Sequence, residues 1–223
     1  DFKIPLFLEK PPGLSYKEAS TLAKKAKKNK ILNMVCFNRR FYSNFEKGLN
    51  LISSKGKLLG VSIEGHERFW NLKKYKNKKI LEAWIYANSI HTIDLLRFFG
   101  GEISRVFTVK NSLNQKNGDQ FKALIEFKNK VLGSYTSHWH SPGGWNVKLF
   151  GEGVTVIFDP LENGYSIDEK FNKKIIKNDK YDNIFKPGFY QQIKSFRRLI
   201  EKKKLRYPAQ DLKSALKTME LIK

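Results

Sequence analysis

The chain has 223 residues, enough for one large core or for a domain plus part of another. Its hydrophobic fraction of 40% is that of a globular protein, and no run of about 18 apolar residues exists to span a bilayer. A net charge of +22 would suit a nucleic-acid or anionic-membrane surface. However, the lysine runs Lys24–Lys30, Lys73–Lys79 and Lys202–Lys204 fall in three separate segments with no accompanying recognition motif, so solvated faces are expected and nucleic acid is not.

The opening Asp1-Phe2-Lys3-Ile4-Pro5 is neither a Met start nor a secretory leader, which leads us to expect a chain beginning inside a larger gene product. Ile4 to Leu8 is a short apolar run that predicts a buried strand. After Pro11-Pro12-Gly13, Ser15 with Glu18 forms a capping box. Ala19, Leu22, Ala23 and Ala26 then recur at helical spacing. Ile31 to Phe37 predicts a second strand, and this strand–helix–strand opening resembles the closing unit of a parallel α/β sheet. The single cysteine, Cys36, excludes an internal disulfide framework and favours a reducing, cytoplasmic setting.

Phe41, Phe45, Leu49 and Ile52 predict a helix over 39–52, and 58–68 alternates as a strand. Residues 69–84 read as irregular and basic. Asn88 or Ser89 is placed to cap a helix over 91–99, ended by Gly100-Gly101. Strands are expected over 103–111, 120–127, 131–140, 145–151 and 154–158, with turns at Asn117-Gly118 and Asn129-Lys130. Short turns between successive strands make the sheet mainly antiparallel. Its alternation, Ala123, Ile125 and Phe127 against Lys122, Glu126 and Lys128, puts helices on one face. Two helices close the chain, with stripes of Phe189, Ile193, Phe196 and Ile200 and, after Pro208, of Leu212, Ala215, Leu216, Met219 and Ile222. The expected fold is therefore α+β: an open, mainly antiparallel sheet covered on one face, preceded by a strand–helix–strand remnant of a Rossmann-type domain. The expected division is 1–36 and 37–223.

The triplet Glu9-Lys10-Pro11, ending a strand before a capped helix, is similar to the EKP signature of the Gfo/Idh/MocA oxidoreductases. Behind it, in family order, come Asn38-Arg39-Arg40-Phe41, the run His91-Thr92-Ile93-Asp94 ending in Gly100-Gly101, and the turn Gly151-Glu152-Gly153. The resemblance implies a two-domain enzyme that moves hydride between NAD or NADP and a hydroxyl or carbonyl carbon of a sugar, nucleotide sugar or polyol. The G-x-G-x-x-G phosphate loop of the cofactor domain is absent from this sequence, so 1–36 would be that domain's last part and the chain alone would be inactive.

In the family the lysine of the motif lies beside nicotinamide and substrate, which implies a catalytic Lys10, with Glu9, Lys10 and Pro11 flanking the cofactor. By residue type alone, Lys10 is a solvated lysine at a strand end. The family's histidine works with an acid four positions earlier as a proton relay, and here that position is Ala87. Three readings stay open for His91: action without a carboxylate, shared work with Lys10, or altered chemistry. A partly buried structural histidine is the plainer alternative. Arg39, His138 and Trp145 are candidate substrate contacts. His138 and His140 share a strand face but lack further ligands, so no metal is expected. The competing functional classes are a non-catalytic ligand-binding or assembly domain and an anion-surface binder. An open sheet face predicts a homodimer or tetramer.

Overall fold

The computed structural model describes residues 4–74 and 77–223. In chain order the elements are β1 (Leu6–Glu9), α1 (Tyr16–Lys28), β2 (Asn33–Cys36), α2 (Ser43–Lys55), β3 (Leu58–Gly65), α3 (Lys78–Glu82) and α4 (Ile90–Gly100). Then follow β4 (Ile103–Asn111), β5 (Gln120–Phe127), β6 (Leu132–His138), β7 (Trp145–Gly151), β8 (Val154–Phe158), β9 (Gly164–Asp168) and β10 (Lys173–Ile176). The chain closes with α5 (Lys180–Ile184), α6 (Phe189–Lys202) and α7 (Leu212–Glu220). These form two compact units. One gathers the residues up to Phe41, Asn77–His91 and Lys180–Lys223; the other holds the remainder.

In the first unit β1 and β2 pair in parallel, from Leu6 opposite Asn33 to Glu9 opposite Cys36. Ser15 caps α1 by accepting from the Glu18 N–H, while the Glu18 carboxylate accepts from Leu14 N–H instead of the cap residue. Ala19, Ala23 and Ala26 let α1 approach α7 closely, around a core of Val35, Phe37, Ile90, Leu212, Ala215 and Met219. Leu22, expected in that stripe, is 41% exposed: the inner face of α1 is built of small side chains and the leucine falls beside it. Gln210 accepts the Val35 N–H, and Asn33 Oδ1 accepts the Leu212 N–H at 2.7 Å, which fixes the start of α7 against β2.

The second unit is an eight-stranded sheet in the order β10-β9-β8-β7-β3-β6-β5-β4. Only the β3–β6 pair is parallel, so the sheet is mainly antiparallel, as expected. Val61, Ile63, Ile125, Tyr135, Val147 and Leu149 share its inner face and are buried. There Phe45 of α2 meets Phe98, Phe99 and Phe158, and Gly100 lies where any Cβ would strike the Phe127 ring. The opposite face leaves Phe107, Leu124 and Leu132 about two thirds exposed, at 67%, 67% and 65%.

Several expectations are corrected. The helix expected over 39–52 is a 3₁₀ turn, Asn38–Phe41, followed by α2, with extended Tyr42 as the break. Residues 69–84, expected to be irregular, contain a 3₁₀ turn at Phe69–Lys74 and the helix α3; Tyr75 and Lys76 of the basic run lie outside the described residues. Neither Asn88 nor Ser89 caps α4, because a π turn, Ile85–Ser89, runs straight into it. On α6, Ile193 and Ile200 are exposed (53% and 39%), while Gln192 and Leu199 are buried. Strands β9 and β10 were not anticipated: their sequences, Gly-Tyr-Ser-Ile-Asp and Lys-Lys-Ile-Ile, carry little apolar alternation.

Candidate functional site

Lys10 follows the last residue of β1, at the carboxyl end of the parallel pair, where ligands of α/β sheets bind. Its ammonium donates to the Ala87 carbonyl at 2.7 Å. Ala87 sits inside the π turn, a widened segment in which the ordinary i→i−4 ladder is interrupted. Lys10 is therefore fastened to the backbone four residues before His91, at the position where a carboxylate was expected.

His91 is 5% exposed, and its ring stands edge-on to Phe37 with centroids 6.3 Å apart. Burial holds its pKa well below the usual imidazole range, and the charges of Arg39, Lys10 and Lys186 push it further down. The imidazole is thus neutral at pH 7. The structure brings Lys10, Arg39 and His91 into one electrostatic neighbourhood and adds Lys186, which sequence reading did not single out. Lys186 comes from the loop before α6, and Asn38 anchors that loop by donating to the Pro187 carbonyl at 3.1 Å. No local motif marked it; a lysine ahead of Pro-Gly resembles any other turn lysine. Glu9 ends β1 as an exposed residue and Pro11 is half-buried beside Lys10. Cys36 is inert here, since burial and Glu9 push its thiol up to about 12.

A depressed histidine pKa has a stability consequence. Below about pH 6.5 the unfolded chain takes up a proton that folded His91 refuses. Stability is therefore full above that pH and falls beneath it, by up to about 1.4 kcal/mol per pH unit until the folded pKa is reached. Urea midpoints measured at pH 7 and pH 5 should differ more for the native chain than for His91→Asn. Equal differences would show that His91 titrates normally.

His138 and Trp145 belong to the second unit. His138 ends β6; its N–H donates to His66 Nδ1 at 3.1 Å, and the two rings stack 5.6 Å apart. His66 Nε2 lies 3.4 Å from Glu64. His138, Trp139, His140 and Gln120 line a cleft of about 450 Å³. Asp119, at its rim, accepts from the N–H groups of Leu113, Asn114 and Gln115; burial opposes its charge, but these bonds hold its pKa low. Trp145 opens β7 opposite Gly65. Among the described residues, no three His, Cys, Asp or Glu side chains assemble as a metal-holding group. Nor is any helix among them long and apolar enough to cross a membrane.

Residues 56–157 match the GFO/IDH/MocA C-terminal domain. No curated protein matches the chain by sequence. Among solved structures, a dehydrogenase from Chromobacterium violaceum superposes with a TM-score of 0.79 at 20% identity, covering 97% of this chain and 66% of its own. An oxidoreductase from Agrobacterium radiobacter, in complex with NAD+, L-tartaric acid and magnesium, gives 0.76 at 16%, covering 99% and 69%. An inositol dehydrogenase homolog from Azotobacter vinelandii, complexed with NADH and myo-inositol, gives 0.77 at 14%, covering 99% and 68%. At these identities the superpositions speak for the fold, and the chain spans about two thirds of each relative. Residues 56–157 are thus similar to the C-terminal domain of the Gfo/Idh/MocA proteins, and the superpositions show that the chain shares the fold of these solved structures.

Proposed function

We infer that this chain is the substrate-binding part of a nicotinamide-dependent oxidoreductase acting on a hydroxyl or carbonyl carbon of a sugar-like or polyol substrate. The observation that carries this reading is the hydrogen bond from the Lys10 ammonium to the Ala87 carbonyl, four residues from neutral, buried His91. Relatives solved with NAD+ and L-tartaric acid, or with NADH and myo-inositol, support a nicotinamide cofactor and a polyhydroxylated substrate. Residues 1–36 are read as the closing part of a dinucleotide-binding domain, and 37–223 as the substrate and assembly domain.

The chain's own groups fit the nicotinamide end of such a site. Lys10 stands at a parallel strand end, and Glu9 and Pro11 flank it. The sequence has no glycine-rich loop for the pyrophosphate. A bound nicotinamide would supply the hydride acceptor. Lys10 would hold the substrate oxygen by hydrogen bond and charge, and His91, kept neutral, would receive the hydroxyl proton. Arg39, His138 and Trp145 remain the candidate substrate contacts. The test is the appearance of reduced nicotinamide with NAD+ or NADP+ across polyols, sugars and nucleotide sugars, using the protein that carries this chain. Turnover with any of them is the expected result; binding without turnover would favour a non-catalytic ligand-binding domain.

The open sheet face supports a second part of the reading, a homodimer or tetramer. Phe107 lies opposite Leu124 across β4 and β5, and Leu132 follows on β6, a patch that a second copy would cover. Sedimentation equilibrium at micromolar concentration should give at least a dimer, and Phe107→Lys with Leu124→Lys should give a folded monomer. A native monomer would refute the assembly.

A further inference from the structure

In the second unit, Asp119 and Trp139 join the β4–β5 hairpin to the end of β6. The Trp139 N–H donates to the Asp119 carbonyl at 3.0 Å, and the Trp139 carbonyl accepts from the Phe69 N–H at 3.0 Å. The Asp119 carboxylate accepts three N–H groups of the hairpin loop and so fixes that loop. The Trp139 ring is 3% exposed and packs against Phe69, stacked at 5.3 Å, and Phe121, tilted at 5.4 Å. His138 is held as well: its N–H donates to His66, whose other ring nitrogen lies beside Glu64, which in turn accepts from Asn146 at 2.8 Å. The cleft of about 450 Å³ is therefore walled by backbone already in place, and its volume falls within the roughly 300 to 1,000 Å³ of small-molecule sites.

The polar groups left over on these walls are uncharged. Gln120, His138, His140 and Ser141 line the cleft, and among the described residues their side chains make no hydrogen bond. An amide, a neutral imidazole and a hydroxyl each both donate and accept. Trp139 lines the cleft too, and its buried indole N–H meets no acceptor among the described residues. The carboxylate in the lining, that of Asp119, is spent on the hairpin loop. Among the described residues no lysine or arginine lines the cleft, although the chain carries 43 of them, so an anion would find no cation there.

We propose that this cleft is a binding site for a neutral polyhydroxylated molecule, an uncharged sugar or cyclitol. Hydroxyls donate and accept just as the amide, imidazole and hydroxyl side chains of the cleft do, so a ring bearing several of them can pair with the walls in either sense. A carboxylate or phosphate only accepts, and it would surrender water without gaining an opposite charge. An apolar ligand would strip water from the same groups and return no hydrogen bond. Binding stands on the second unit alone; that the bound polyol is also the molecule oxidised rests on the oxidoreductase reading.

The experiment is titration of the full chain with glucose, myo-inositol and glucuronate, followed by the backbone amide resonances of residues 119–120 and 138–141. Salt at roughly 0.5 M screens the general attraction of a chain of charge +22 for anions. Glucose or myo-inositol should shift these amides saturably, and glucuronate should bind about tenfold more weakly or not at all. Gln120→Ala with His140→Ala should weaken the neutral ligand by about tenfold or more at an unchanged thermal midpoint. His140→Ala alone, at an exposed residue, keeps the test valid should the double variant fail to fold. No saturable shift with either neutral ligand, shifts centred elsewhere, variants that bind as the native chain does, or glucuronate binding as tightly as glucose would each overturn the proposal. The two readings fail separately. A polyol that binds here and is not oxidised by the protein carrying this chain, with NAD+ or NADP+, counts against the oxidoreductase alone. Turnover of a polyol with KM unchanged in the double variant counts against the cleft alone.

Discussion

Lys10→Met should lower kcat of the nicotinamide-linked reaction by roughly 10² to 10⁴-fold, the range expected when a positioned proton-sharing or charge-stabilising group is lost. Methionine keeps the length and apolar stem of the side chain, so the variant removes the ammonium with little change in packing. Two consequences follow from the geometry. The 2.7 Å bond to the Ala87 carbonyl is lost, which costs about 1 to 3 kcal/mol for a charged donor at a half-buried site. The π turn ahead of His91 also loses its anchor. The expected signature is therefore a large fall in kcat, a small fall in stability, and an unchanged far-UV spectrum. Single-turnover measurement with saturating cofactor separates the chemical step from binding. Activity within threefold of the native enzyme would remove Lys10 from the reaction and take the proposed mechanism with it.

The candidate site could be read only where its residues are consecutive. Glu9-Lys10-Pro11 and the helix opening with His91 are local in sequence, and the structure brings Lys10 to within a hydrogen bond of that helix's leading turn. The π turn was not legible, because Asn88 and Ser89 in Ile85-Tyr86-Ala87-Asn88-Ser89 have the character of helix caps and no residue pattern marks the widened turn. Lys186 was missed for a different reason. Its position comes from a loop folded back onto the 3₁₀ turn by Asn38, a long-range contact that no periodicity encodes.

The sheet shows the same division. Strands β4 to β8 were visible because alternation and the turn at Asn117-Gly118 agree; Gly118 adopts φ +101°, which glycine reaches without strain. On α6 the stripe reading failed because burial followed Gln192 and Leu199, whereas Ile193 and Ile200 lie at the margin of the packed face. Strand β10 was invisible because it is an edge: its lysines and Ile175, which is 71% exposed, need no apolar face, and pairing with β9 supplies its order.

Phe45→Ala should destabilise the second unit by about 3 to 5 kcal/mol, the range for truncating a buried phenylalanine. Phe45 is fully buried at 0% exposure, and its ring lies 4.7 Å from Phe158, 5.0 Å from Phe99 and 6.2 Å from Phe98. It joins α2, α4 and β8 at one point. Phe99 and Phe158 are also 6.2 Å apart and nearly parallel, so they cannot both swing inward to fill the space without giving up their own contact. Relaxation is limited further by Gly48 on the next turn of α2, where a Cβ would meet Phe158 at 2.7 Å; the helix and sheet are already in contact there. The loss thus combines transfer of the ring with a cavity that does not close. Leu113→Ala, at a residue 71% exposed, is the control and should change stability by less than about 0.5 kcal/mol. Urea denaturation followed by tryptophan fluorescence measures both. A loss below about 1 kcal/mol for Phe45→Ala would mean that the aromatic cluster repacks freely, and that the helices are not held on the sheet by the contact between α2, α4 and β8.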